Sequence, residues 1–155
     1  MRAIGLLCVV SLVALSSAAA AQLAPLPVPQ SQPTPQPNFQ NVGTMSQLMI
    51  DIIYPTSDDI FYIERTPPEN DVDWEKIQRS ALMLAESGNL LLLPGRARDQ
   101  GDWVKDSKLL IDAGNAAYKA ARAKDLKALV ALNDQLYTAC VTCHQAYRTG
   151  YGRRR

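Results

Sequence analysis

Two thiols and an imidazole stand together in the run Cys140-Val141-Thr142-Cys143-His144. Cysteines separated by two residues, with a histidine directly after the second, form the attachment pattern for a c-type haem. The chemistry accounts for the spacing. Each thiol adds to one vinyl group of the porphyrin, and the histidine that follows is placed to ligate the iron axially. On a helix, positions i, i+3, i+4 and i+7 share one face. Cys140, Cys143, His144 and Tyr147 have that spacing and can address one flat ligand.

Two other chemistries use a C-x-x-C pair. A structural zinc site asks for four protein ligands. Beyond this run the chain offers only Cys8, and it has no second histidine. A thioredoxin-like dithiol usually opens a helix that follows a strand. Here the pair lies late in a long helical pattern with no strand-like alternation before it. The motif therefore predicts one covalently attached haem c, with Cys140 and Cys143 as the tethers and His144 on the iron.

The start of the chain predicts the compartment in which such a linkage is made. Met1-Arg2 is followed by apolar and small residues as far as Ala21. A short positive start, an apolar stretch and a small-residue end describe a secretory signal peptide over 1–21. Its apolar core is short for a membrane span, which needs about 20 residues. Cleavage after Ala21 would remove Cys8, which lacks a lipobox-like context. The expected product is exported, periplasmic and soluble, not an integral membrane protein. The whole chain carries 16 basic and 15 acidic residues, and the leader takes only Arg2 with it. Balanced charge of this kind argues against nucleic acid as a partner.

Residues 22–42 read as a Pro/Gln-rich linker. Six of the ten prolines fall here, from Pro25 to Pro37, and they favour an extended, mobile chain. Beyond it only helical periodicity appears. Met45, Leu48, Met49, Ile52 and Ile53 mark one buried face. Pro55 predicts a kink or break, with Thr56 or Ser57 capping a continuation to Ile63. A second helix should start at Asp71 or Asp73 and stop near Ser87, with Gly88-Asn89 as its C-terminal signal. Leu90 to Leu93 then reads as a loop pressed on the core. A third helix should follow Asp102, with Ser107, Leu110, Ile111, Gly114, Tyr118 and Ala121 inward. Asp125 should cap a fourth, continuous from 125 to 147 and about 35 Å long at ~1.5 Å per residue. Residues 150–155 read as a basic tail. The predicted fold is all-α, an antiparallel four-helix bundle with covalently bound haem over 43–149.

The extended string Cys140-Val141-Thr142-Cys143-His144-Gln145-Ala146-Tyr147-Arg148, at the end of a four-helix pattern, resembles the cytochrome c prime superfamily, the class II c-type cytochromes. That family commonly reads C-x-x-C-H-x-x-Y-R in this place. The resemblance covers about 43–149 and implies His144 as proximal ligand and Arg148 near the haem, in contact with a propionate. Family members either leave the opposite iron face open or fill it with a methionine. The segment Gln47-Leu48-Met49, followed by Pro55-Thr56-Ser57-Asp58, is similar to a low-spin exported branch, in which Met49 would be the sixth ligand. Met45, one turn earlier on the same face, is the alternative. Two features depart from the family: no basic residue precedes the iron-facing position in the first helix, and Pro55 is unusual. Relatives often pair through helices, so a homodimer is compatible with the resemblance, although no dimer face is evident.

Methionine on a buried helix face is ordinarily packing, and Met83 is read that way. In a chain with a haem motif, one of Met45 and Met49 becomes a candidate ligand. A thioether opposite histidine favours ferrous iron and raises the potential. Trp74 and Trp103 read as packing anchors, and Tyr118, Tyr137 and Tyr147 as core or haem-edge residues. Arg96 and Arg98 are weaker propionate candidates than Arg148, and Asp58-Asp59 reads as surface or capping. No nucleotide loop and no nucleophile–base pair supports an enzyme. The expected function is single-electron transfer with a redox partner protein that the sequence does not name. The alternative is a five-coordinate haem protein binding small gases such as NO or CO. A cofactor-free binding module is a third, weaker reading.

Overall fold

The computed structural model describes residues 38–152, so the expected leader, most of the expected linker and the end of the expected basic tail lie outside the described residues. Every element between these limits is helical. The first helical rod opens with α1 (Met45–Gln47), passes through a π-helical turn (Leu48–Ile53) and continues as α2 (Tyr54–Phe61). It is followed by α3 (Asp71–Leu91), α4 (Asp102–Arg122), α5 (Leu126–Ala131) and α6 (Asn133–Tyr147). Four helices pack together: the rod, α3, α4 and the α5–α6 pair.

Short polar side chains start these helices by accepting otherwise orphaned backbone N–H groups. Thr44 and Gln47 form a reciprocal capping box at α1. Asn70, not Asp71 or Asp73, caps α3 by accepting from the Asp73 N–H at 3.1 Å. Asp71 and Asp73 sit in the first turn, where the helix dipole favours anions. Asp125 accepts from the Ala128 N–H at 2.9 Å, as its position suggested.

The first rod departs from expectation at Pro55. The proline does not break it. Its ring and missing N–H are accommodated by widening the turn before it, with the Tyr54 N–H bonding back to Met49 O. Thr56 and Ser57 do not cap a new helix. Their hydroxyls donate backwards, from Thr56 to Ile52 O at 2.7 Å and from Ser57 to Tyr54 O at 2.8 Å. These bonds occupy carbonyls in the disturbed stretch.

Gly88 does not stop α3, which runs on to Leu91 and takes up part of the expected Leu90–Leu93 loop. It is instead a point of close approach. A Cβ on Gly88 would lie 2.5 Å from Ile111 Cγ1, and one on Gly114 would lie 2.5 Å from Ala85 N. The two glycines let α3 and α4 pack nearly backbone to backbone, the most extensive helix pair in the fold. The fourth helix is not continuous. At Leu132 the N–H bonds to Leu129 O, tightening the turn, and a new helix begins at Asn133.

The core is aliphatic and alanine-rich, with Ile60, Leu84, Ala121 and Leu129 fully buried. Asp59 ties α2 to α3, accepting from Ser80 at 2.6 Å and pairing with Lys76 at 3.0 Å. It is a tertiary link, not only a surface group. Among the described residues no helix is long and apolar enough to cross a membrane.

Candidate functional site

Cys140, Cys143 and His144 are on α6 and line one cleft together with Met49, Ile53, Leu91, Asp106, Leu110 and Ala139. All four packed layers contribute, though α1, α2 and α5 supply no lining residue. Met49 and Ile53 come from the π turn, Leu91 from the end of α3, and Asp106 and Leu110 from α4. Met49 and Ile53 are four residues apart and so lie on one side of the rod. Met45 packs against the core but does not line the cleft. Of the two methionines, the fold brings only Met49 to the cysteine–histidine motif.

Trp103 fixes the ends of three helices around this cleft. Its indole N–H donates to Leu91 O at 2.9 Å, and the ring is buried. Tyr147 meets it edge-on, with ring centroids 4.8 Å apart. The Tyr147 hydroxyl donates to Asp99, whose other oxygen accepts from the N–H groups of Gly101 and Trp103. Asp99 thus starts α4 and anchors the end of α6. Tyr147, expected to face the ligand with the cysteines, turns to Trp103 and Asp99 and is absent from the cleft lining.

This contact has a measurable consequence. The Asp99 carboxylate accepting its proton pushes the Tyr147 hydroxyl up to about 12, with burial adding to the effect. A raised folded-state value contributes stability below the unfolded value, near 10, and loses it as pH rises through about 12. Asp99→Asn is expected to shift one tyrosinate absorbance step down towards the ordinary value. An unchanged alkaline titration curve would show that the contact does not persist in solution.

The electrostatics separate the possible uses of the thiols. Burial pushes Cys140 up, and burial, Asp106 and Cys140 push Cys143 up to about 11. Redox-active dithiols have lowered values because the thiolate is the nucleophile. These two are protonated at neutral pH, which disfavours an exchange-active dithiol. His144 is shifted the other way: burial first, then the Arg148 charge, holds it below its ordinary value. It is therefore presented as the neutral imidazole that a metal requires. Among the described residues no three His, Cys, Asp or Glu side chains converge on one point.

The donor chemistry of the lining suits a covalently held haem: two thiols, a neutral imidazole, a thioether and aliphatic walls. The cleft measures about 40 Å³, room for a few waters at about 10–15 Å³ each. A porphyrin demands that the walls part. The π turn packs on α3 and α2 and makes no extensive contact with α6. The seam between Met49 and the cysteine motif is therefore one along which walls can part without breaking an extensive helix contact.

Other candidates fall elsewhere. Arg148 ends α6, is exposed, and lies over the Tyr151 ring at 5.7 Å, outside the cleft lining. Arg96 donates to Gly43 O at 3.1 Å and weakly to Leu90 O at 3.4 Å, joining the start of α1 to the α3–α4 connection. Asn41, within the expected mobile linker, is fastened to Pro94 O at 2.8 Å. Arg98 is exposed. Tyr137 and Met83 are exposed rather than core residues, whereas Trp74, Tyr118 and Tyr147 pack against the core. Sequence reasoning missed Asp106. It shares the inward stripe of Ser107 and Leu110 at i+1 and i+4, and a charge on that stripe was the available signal.

Compared with protein-family models, curated proteins and solved structures, the chain matches none.

Proposed function

We propose that this protein is an exported c-type cytochrome carrying single electrons through one covalently attached haem, in the manner of the class II cytochromes its motif resembles. The observation that carries the reading is the convergence of Met49 from the first rod with Cys140, Cys143 and His144 from α6 on one cleft. A haem held there supplies a one-electron ferric/ferrous couple. Cys140 and Cys143 would tether it, and the neutral His144 would offer a nitrogen to its iron. Met49, from the π turn, would offer a soft, neutral sulfur. The aliphatic side chains of Ile53, Leu91, Leu110 and Ala139 exclude water. Two ligands held by separate helices would keep the coordination set the same in both oxidation states and reorganisation small.

The test is direct. Expressed with its leader in a host that matures c-type cytochromes, the protein is expected to be coloured and to stain for haem on a denaturing gel. Its mass should exceed that of the cleaved chain by one tetrapyrrole, because thioethers survive denaturation. A colourless product of polypeptide mass from such a host would refute the assignment.

A further inference from the structure

We propose that Asp106 sets the reduction potential of this site: its carboxylate lines the cleft beside Cys143 and favours the ferric state of a haem held there. The inference rests on the haem reading and adds to it a residue that the motif does not contain.

Asp106 is 7% exposed, the only charged residue buried to this degree in the described fold. It is the only carboxylate lining the cleft, among aliphatic, sulfur and imidazole groups. No hydrogen-bond donor contributes to its electrostatic environment. Lys105, the nearest cation in sequence, is drawn to Asp102 at 2.9 Å and opposes the shift at Asp106 only as the smallest influence. Burial, followed by Asp102 and Asp99, pushes the Asp106 carboxyl above its ordinary value.

Setting a carboxylate into an otherwise apolar lining costs stability. On α4, Trp103 and Leu110 are buried to either side of Asp106 along the helix. The group therefore acts on what the cleft holds. A negative charge attracts the more positive oxidation state, and an apolar surround strengthens the attraction relative to water. Asp106 thus opposes the thioether of Met49, which favours ferrous iron. The two residues pull the couple in opposite directions from different walls of one cleft.

The experiment compares the full exported holoprotein with Asp106→Asn and Asp106→Glu, measuring midpoint potential, visible spectrum and denaturation midpoint. Asp106→Asn keeps the shape and removes the charge. It is expected to shift the equilibrium roughly tenfold towards ferrous iron, about 59 mV for one electron. The spectral type should be unchanged and the denaturation midpoint no lower. Asp106→Glu keeps the charge and should stay within about threefold of the parent in the same equilibrium, by the same conversion. The proposal is overturned if Asp106→Asn leaves the potential in place, or if both variants move it equally. A lower denaturation midpoint for Asp106→Asn would assign the carboxylate to the fold and overturn it as well. A colourless parent would remove the haem reading itself, and this inference with it.

Discussion

Met49→Ala is expected to convert the haem from a low-spin, six-coordinate spectrum to a high-spin, five-coordinate one, and to open the reduced iron to carbon monoxide. The expectation follows from where the rod places its methionines. Met49 lines the cleft with the cysteine–histidine motif, and Met45, one turn earlier, does not. Apart from Cys140 and Cys143, which the tethers would use, no other side chain in that lining offers a soft neutral donor, because Ile53, Leu91, Leu110 and Ala139 are hydrocarbon. Truncation to alanine therefore leaves no free replacement sulfur within the cleft. Loss of a thioether also removes the preference for ferrous iron, so the potential should fall by on the order of 0.1 V, within the range axial ligands command. Met45→Ala is the control and should leave spectrum and potential nearly unchanged. The gas-binding alternative makes the opposite forecast for the parent: fast, tight carbon monoxide binding, with Met49→Ala changing little. Those results, or a low-spin Met49→Ala spectrum, would remove Met49 from the iron.

The contrast between Met49 and Asp106 shows which parts of the site sequence can carry. Cys140, Cys143 and His144 are legible because one helical turn brings them together, whatever surrounds them. Met49 was reachable only as one of two candidates, since choosing between residues one turn apart requires the phase of the rod against α6. The π turn decides that phase, and Pro55 signals only that some disturbance occurs. Asp106 was passed over because a carboxylate in a helix is ordinarily solvated, and its burial depends on Trp103 and on walls from other elements. The helices themselves were visible from periodicity and, at Asp125, from a cap, whereas Asp102 lies inside the first turn of α4 and Gly101 holds the cap position. Their interruptions were not. At Leu132 the only signal was Asn133-Asp134 directly after it, weak helix formers common at helix starts, which helical periodicity on both sides obscured. Gly88 carries the opposite ambiguity: glycine ends some helices and admits neighbours to others, and only the position of Ile111 distinguishes the two.

Gly114 gives that last point its strongest test. Gly114→Ala is expected to destabilise the fold by about 3 kcal/mol, the upper part of the range for forcing a group into a filled interior. The sign is not what helix propensity alone predicts, since alanine is favoured over glycine within a helix by about 1 kcal/mol. Packing overrides propensity here because the obstacle is main chain. A Cβ at 114 would sit 2.5 Å from Ala85 N and 2.7 Å from Ala85 Cα. No rotamer change removes those atoms, so α3 and α4 must move apart along their most extensive contact. Ala85→Gly removes only the third obstacle, the Ala85 Cβ at 3.0 Å, and should fail to rescue Gly114→Ala. Gly88→Ala behaves differently. Its closest obstacle is a side-chain atom, Ile111 Cγ1, so Ile111→Ala should recover part of its loss. Thermal melts of the two pairs would distinguish backbone collision from side-chain collision. A Gly114→Ala protein melting at or above the parent temperature, or one rescued by Ala85→Gly, would mean that the α3–α4 approach is looser than described. The wall carrying Asp106 and Leu110 belongs to α4. Forcing that helix outward should therefore also disturb the spectrum of the proposed haem, since Gly114 lies one turn beyond Leu110 in the cleft wall.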